Sequence, residues 1–352
     1  MPDKDGDLFT FEAVFCKNLF LQKSPFFFVL AGLLLSCSND PLKVDITDVK
    51  VDIEFSRLDS IVFYSDQNNL SEFHKANIEA NEPYRYLLGQ CLQIKSPSEA
   101  IVLPAILEFR KDQYVKSLQA KLDERKSDFD KSKSEIEKGF RYLKFHLSEE
   151  KLPKKILEAN TMFQSSVYCF EDEILIGKER YLGAKDSLIR ILPGQFYFEW
   201  EKEGMEFEFL VRDVICGWAM THLVHQKKEN LAENLVFWGK VLYLVNAGMP
   251  NESPEVILRY SKEDFEWACE NEYNLWKHLV DKELLFKTED KLIQNMVAPG
   301  PFTVGLPEKG PDRLGQFLGF RMVSNYISEN EISVQDLINT PYNKILKAYD
   351  IQ

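Results

Sequence analysis

Between Met205 and Met249 the chain carries two consecutive apolar segments with helical periodicity, and any fold it adopts has to bury them. In the first, Val211, Ile215, Trp218, His222 and His225 recur at steps of three and four, which puts both imidazoles on the stripe facing the core. A turn is expected near Lys227. Asn230-Leu-Ala-Glu233 then reads as a capping box, with Asn230 accepting from the amide of the third helical residue and Glu233 reaching back. Leu231, Leu235, Trp238, Leu242 and Val245 stripe the second helix, which Gly248 and Pro250 stop. A helical hairpin therefore sits at the centre of the expected fold.

The 352 residues exceed the roughly 250–300 at which one core stops growing. We divide them into a leader at residues 1–36, a polar tether at 37–48 and one large, mostly helical domain at 49–352. The leader has Lys17 and Lys23 ahead of the apolar run Pro25–Leu35, too short to span a bilayer at about 20 residues but of signal-peptide length. Leu34-Leu35-Ser36-Cys37 ends it as a bacterial lipobox would, so Cys37 is the expected lipid attachment site and acyl chains the expected membrane anchor. The balance of 56 carboxylates against 43 Lys and Arg stays acidic without the leader and disfavours a nucleic-acid partner. Cys91, Cys169, Cys216 and Cys269 lack Cys-x-x-Cys spacing, and free buried thiols are expected of Cys169 and Cys216.

Within the domain, Val49, Val51, Ile53 and Phe55 alternate as a strand does, and short helices are expected around Leu70–Ala80 and Tyr84–Leu92. From Ser98 to Leu147, Val115, Leu122, Phe129, Ile136 and Leu143 recur every seventh residue, which predicts a long amphipathic helix or helix pair lying on its own domain, with a partner-binding coiled coil as the alternative. Thr161–Cys169 and Glu173–Gly177 read as a β-hairpin that Glu179–Gly183 continues. A helix is expected over Ser261–Val280, capped by Ser261. Pro299–Pro311 is dense in Gly and Pro and favours a defined loop, either a surface connection or the wall of a site. Asp312 is expected to cap the helix that follows, and Gly315 with Gly319 gives that helix a smooth strip for close packing. The fold class is mainly α (α+β), with a small β-hairpin or sheet.

For chemistry, His222 and His225 are the candidate metal ligands, the pair a metallohydrolase would use. Their three-residue spacing is not that of His-Glu-x-x-His, and no nucleophile elbow or phosphate loop occurs. Neither a catalytic residue nor a cofactor is expected.

Several stretches together resemble the GldB family of gliding-motility lipoproteins of Bacteroidetes-type bacteria. They are the lipobox at Cys37, Leu175-Ile-Gly-x-x-x-Tyr-Leu-Gly183, the Asn234–Leu244 helix with Gly239-Lys240, Ala298-Pro-Gly-Pro-Phe-Thr-x-Gly-x-Pro307, and Arg313-Leu-Gly-Gln-Phe-Leu-Gly-Phe320. The chain departs at Gly177-Lys-Glu179, where the family tends to carry an apolar residue and an aspartate. The resemblance implies a lipid-anchored envelope protein facing the periplasm, with gliding and secretion proteins as partners and no established catalysis. It marks Pro301, Phe302, Gly305, Arg313, Gly315, Gln316 and Gly319 as the partner or structural loop region. The order of strand hairpin, helices and Gly-rich helix also looks like a zincin-type peptidase plan, in which Trp218, Ala219 and Trp238 stand where ligands and base would be.

Overall fold

Glu54–Arg57 (β1), Lys155–Ala159 (β2), Val167–Cys169 (β3) and Glu173–Gly177 (β4) form a mixed sheet in the order β1-β2-β4-β3. β1, β2 and β4 run parallel and β3 pairs antiparallel with β4. The central strands are apolar on both faces, as strands covered on both sides must be. Ile156, Ile174 and Ile176 face one core, while Leu157, Ala159 and Leu175 face a second. The computed structural model describes residues 40–306 and 310–349. The stretch expected as a signal peptide and Cys37 lie outside the described residues, as does Pro307.

The smaller core is covered by α1 (Leu58–Tyr64), α2 (Gln67–Asn77), α3 (Glu82–Tyr86) and α4 (Glu99–Phe109), which contribute Leu58, Leu70, Tyr84 and Ile106. The larger core begins with α5 (Gln113–Glu124) and α6 (Lys126–His146). The seven-residue seam does lie on its own domain, since Val115, Leu122, Phe129, Ile136 and Leu143 are all buried. It is divided between two helices at Arg125, where the backbone leaves the helical region.

Two short helices, α7 (Ser187–Arg190) and α8 (Glu199–Glu203), lead into α9 (Leu210–Trp218) and the long α10 (Leu231–Gly248). Next come α11 (Pro254–Leu258), α12 (Lys262–Glu270), α13 (Glu272–Asp281) and α14 (Asp290–Val297). The chain then runs through α15 (Leu314–Asn330), α16 (Val334–Asn339) and α17 (Tyr342–Ala348). α10 is buried on nearly every side, including Lys240, whose ammonium donates to the carbonyls of Ile338 and Thr340. α15 crosses it at Gly239 and Gly319, where the two backbones touch. The strip at Gly315 and Gly319 thus does serve close helix packing. None of the described helices is long and apolar enough to cross a membrane.

Several expectations are corrected. The first strand occupies Glu54–Arg57, not Val49–Phe55, because Arg141 on α6 donates to the carbonyls of Ile46, Thr47 and Val49 and holds that stretch away from the ladder. Within the stretch expected as a tether, Leu42 and Ile46 are buried, so packing begins at Leu42. β2 carries no alternation because it is the buried central strand, and it escaped notice behind a run of lysines. Glu179–Gly183 does not extend the hairpin; Lys178–Tyr181 is a turn of 3₁₀ helix. The Ser261–Val280 helix breaks at Asn271 into two, although Ser261 caps it as expected by accepting from the Asp264 amide at 3.0 Å.

Candidate functional site

The hairpin that organises the sequence does not assemble a metal site. After Trp218 the helix widens into a π turn, Ala219–Leu223, which inserts a residue and shifts the stripe. His222 consequently leaves the core and stacks on the Trp218 ring at 3.7 Å and 6°, with its Nδ1 at 2.7 Å from the Thr221 hydroxyl. Burial, followed by the Lys151 charge, lowers its pKa. Val224 is extended, and His225, beyond the helix, is exposed. Both histidines were expected on the core stripe, and neither is there. Glu233 reaches back one residue further than a capping box requires and accepts from the Glu229 amide at 2.7 Å, while Asn230 accepts from the Glu233 amide at 2.9 Å. Among the described residues no group of three or more His, Cys, Asp and Glu is placed to hold a metal. Of the positions the peptidase plan singles out, Trp218 and Ala219 are fully buried and Trp238 is half-buried.

A cleft of about 800 Å³ opens instead beside the Gly- and Pro-rich loop. One wall is the loop itself, at Pro299, Gly300 and Pro301 and again at Gly310 and Pro311. Thr303 closes this loop. It is 1% exposed, its hydroxyl donates to the Pro311 carbonyl at 2.9 Å and accepts from the Leu314 amide at 3.1 Å. Gly305 takes φ +89°, which a side chain would resist. Asp312 does not cap the helix. Its carboxylate accepts from the Gly300 amide at 3.0 Å and from Arg313 Nε at 2.8 Å, and its carbonyl accepts from the Tyr260 hydroxyl. Burial raises the Tyr260 pKa, so that hydroxyl stays a donor.

The opposite wall depends on two arginines in the left-handed region, Arg259 at φ 55° and Arg313 at φ 52°. Such a conformation costs about 1–3 kcal/mol for a residue with a side chain and persists only where the surroundings hold it. Here they do. The Arg313 guanidinium donates to the Leu258 and Arg259 carbonyls at 3.2 and 3.0 Å, satisfying the end of α11. Arg259 donates to the Gly204 carbonyl and, at 2.8 Å, to the buried carboxylate of Asp213. That carboxylate also accepts from Tyr181 and Arg212. Arg180, the third cleft arginine, is turned onto the Phe163 carbonyl.

The turn that presents this carbonyl has its own anchor. Met162 and Phe163 are both left-handed, so the Thr161 and Phe163 amides converge on Glu179 Oε1 at 2.9 and 2.8 Å, joined by the Thr161 hydroxyl. Glu179 is fully buried, which raises its pKa, and its Oε2 has no partner among the described residues. Beside it Lys178 pairs with Asp59 at 2.7 Å and lies 3.7 Å from Glu158, all three buried.

A family model described as "Gliding motility protein GldB" matches residues 39–350. The chain belongs to the GldB family. No curated protein and no solved structure matches it. Membership associates this GldB-family chain with gliding motility and with the lipoproteins. Of the residues its GldB resemblance singled out, the cleft brings together Pro301 and Arg313 only. Phe302 is half-buried and Gly305 exposed on the far part of the loop. Gly315, Gln316 and Gly319 lie behind it in α15, where Gln316 donates to the Val297 carbonyl at 2.7 Å. Sequence reading missed Arg180, Trp200, Arg259 and Thr303. They are spread over more than a hundred positions without common spacing, and only Arg180 and Thr303 lay inside stretches already noted, neither of them singled out there.

Proposed function

We propose that the chain is a lipid-anchored cell-envelope protein, held by acyl groups on Cys37 and facing the periplasm, that supports gliding motility and its associated protein secretion by binding other proteins. It performs no catalysis in this role. The observation that carries the reading is the cleft wall in which two left-handed arginines, Arg259 and Arg313, are fixed by carbonyls and by Asp213. Strain held in place at a surface cleft, with every guanidinium turned onto the protein, suits a rigid recognition surface better than a reaction centre.

The test is made in cells that glide. Cys37→Ser is expected to leave an unprocessed protein that no longer supports gliding, and Arg313→Ala to abolish gliding while the protein still fractionates with membranes. His222→Ala is expected to glide normally. Zinc at one equivalent in purified, tag-free protein, lost together with gliding on changing His222, would instead establish a metallohydrolase using His222 and His225.

A further inference from the structure

The segment between α7 and α8 is folded so that apolar side chains point both ways. Leu192 turns inward to the core, and Tyr197 is half-buried with its ring edge-on to Phe163 at 5.8 Å. Ile191, Phe196 and Phe198 turn outward and are 65%, 70% and 56% exposed. The turn is fixed, since the Phe196 and Tyr197 amides both donate to the Pro193 carbonyl at 3.0 Å. Phe198 stacks on Trp200 at 6.2 Å, and Trp200 lines the cleft. Exposed aromatics gathered this way mark an interaction surface, because each would gain from removal from water.

The charge beside this shelf selects the partner. The cleft is lined by six carboxylates and three arginines, and the arginines are committed to carbonyls, Asp213 and Asp312. Four of the carboxylates also have work inside the protein: Glu201 accepts from the Phe198 amide, Glu206 from Ala184, Asp264 from the Ser261 hydroxyl, and Asp312 as described. Glu203 and Glu208 are exposed and have no partner among the described residues. The cleft lining therefore carries a net negative charge, next to an apolar shelf. An anionic bilayer surface would be repelled by it, whereas a cationic segment would gain at both places.

We infer that the shelf at Ile191, Phe196 and Phe198 and the cleft edge at Glu203 and Glu208 dock one segment of a partner protein in which lysine or arginine side chains alternate with large apolar ones. This rests on the interaction role proposed above and names the chemistry of the partner. The aromatic shelf takes the apolar side chains, and the two free carboxylates take the cations.

Calorimetric titration of the purified full-length protein with acetyl-Lys-Phe-Lys-Phe-Lys-amide tests it, with the glutamate counterpart as control. The lysine peptide is expected to bind and to weaken as salt is raised, and the glutamate peptide not to bind. Glu203→Lys with Glu208→Lys, and separately Phe196→Ser with Phe198→Ser, should each weaken binding by about tenfold or more. Both pairs are exposed, so thermal unfolding should be unchanged and confirm an intact fold. Equal binding of the two peptides, no binding of the lysine peptide, or binding indifferent to both double variants overturns the inference. Vesicles of phosphatidylethanolamine and phosphatidylglycerol provide a second arm. Binding of the Cys37→Ser protein to them, lost in Phe196→Ser/Phe198→Ser, would make the shelf a membrane contact and overturn it too. Failure of the peptide overturns the partner chemistry alone, because gliding of Arg313→Ala cells tests the interaction role separately.

Discussion

Gly239 on α10 and Gly319 on α15 face each other without side chains, and a Cβ on Gly319 would fall on the carbonyl of Leu235. A Cβ on Gly239 would fall on the carbonyl of Gly319. The obstruction on each side is backbone, which cannot swing away as a side-chain tip can. Gly319→Ala is therefore expected to destabilise the protein by about 3 kcal/mol, and Gly239→Ala by a similar amount. Urea unfolding of each variant checks this. A loss below about 0.5 kcal/mol for either would show that the helices can part without cost.

The buried pair Lys178–Asp59 supplies a second expectation. Asp59 also accepts from Arg57 at 2.9 Å, so its carboxylate is held by two cations, whereas the further partners of Lys178 are Glu158, at 3.7 Å, and the face of the Phe129 ring, at 5.1 Å. Asp59→Ala strands the lysine and should cost about 3–5 kcal/mol. Lys178→Leu removes the buried cation and leaves Asp59 paired with Arg57, so its cost should be clearly smaller. Denaturation midpoints of the two variants, measured side by side, decide the order.

Glu179 sets a pH dependence. Burial raises its pKa in the folded chain above the ordinary 4.5, so the folded state favours the protonated acid. The stability this supplies is complete below the unfolded value and is lost as pH rises through the folded one. Glu179→Gln should remove that slope above pH 4.5 while keeping an oxygen for the Thr161 and Phe163 amides. Unfolding free energies of wild type and variant across this range should diverge with pH; parallel curves would refute the assignment.

Lys240 works in the opposite direction. Burial lowers its pKa to about 8, against 10.5 for the free side chain. Between these values the unfolded chain holds a proton that the folded chain has released, so this residue adds stability as pH rises from 8 toward 10.5. Lys240→Met should lack the increment. The difference between the two proteins in unfolding free energy, followed from pH 8 to 10, measures it.

Legibility in the sequence followed locality. The amphipathic seam of α5 and α6, the caps at Asn230 and Ser261 and the small-residue strip of α15 are written within a few turns of chain and appear in the structure as read. β2 was hidden because a strand buried on both faces has no alternation to display. The histidines were misplaced because periodicity assumes an unbroken helix, and one π turn before Val224 was enough to turn His222 onto Trp218. The cleft could not be read at all beyond its Pro-rich wall. Arg259 and Arg313 meet only because α11 and α15 are brought together by the core, and their left-handed backbones follow from contacts that no local composition encodes.

The burial of Leu42 has a mechanical consequence once Cys37 is taken as lipidated. Five Cα-to-Cα steps separate these two positions, and at roughly 3.5 Å each they extend at most about 17 Å. If Cys37 is so anchored, a body this closely tied would not sweep far from the bilayer. Its working radius would then be that of a membrane-hugging fixture, and any partner proposed for it would have to come to the bilayer surface to be bound.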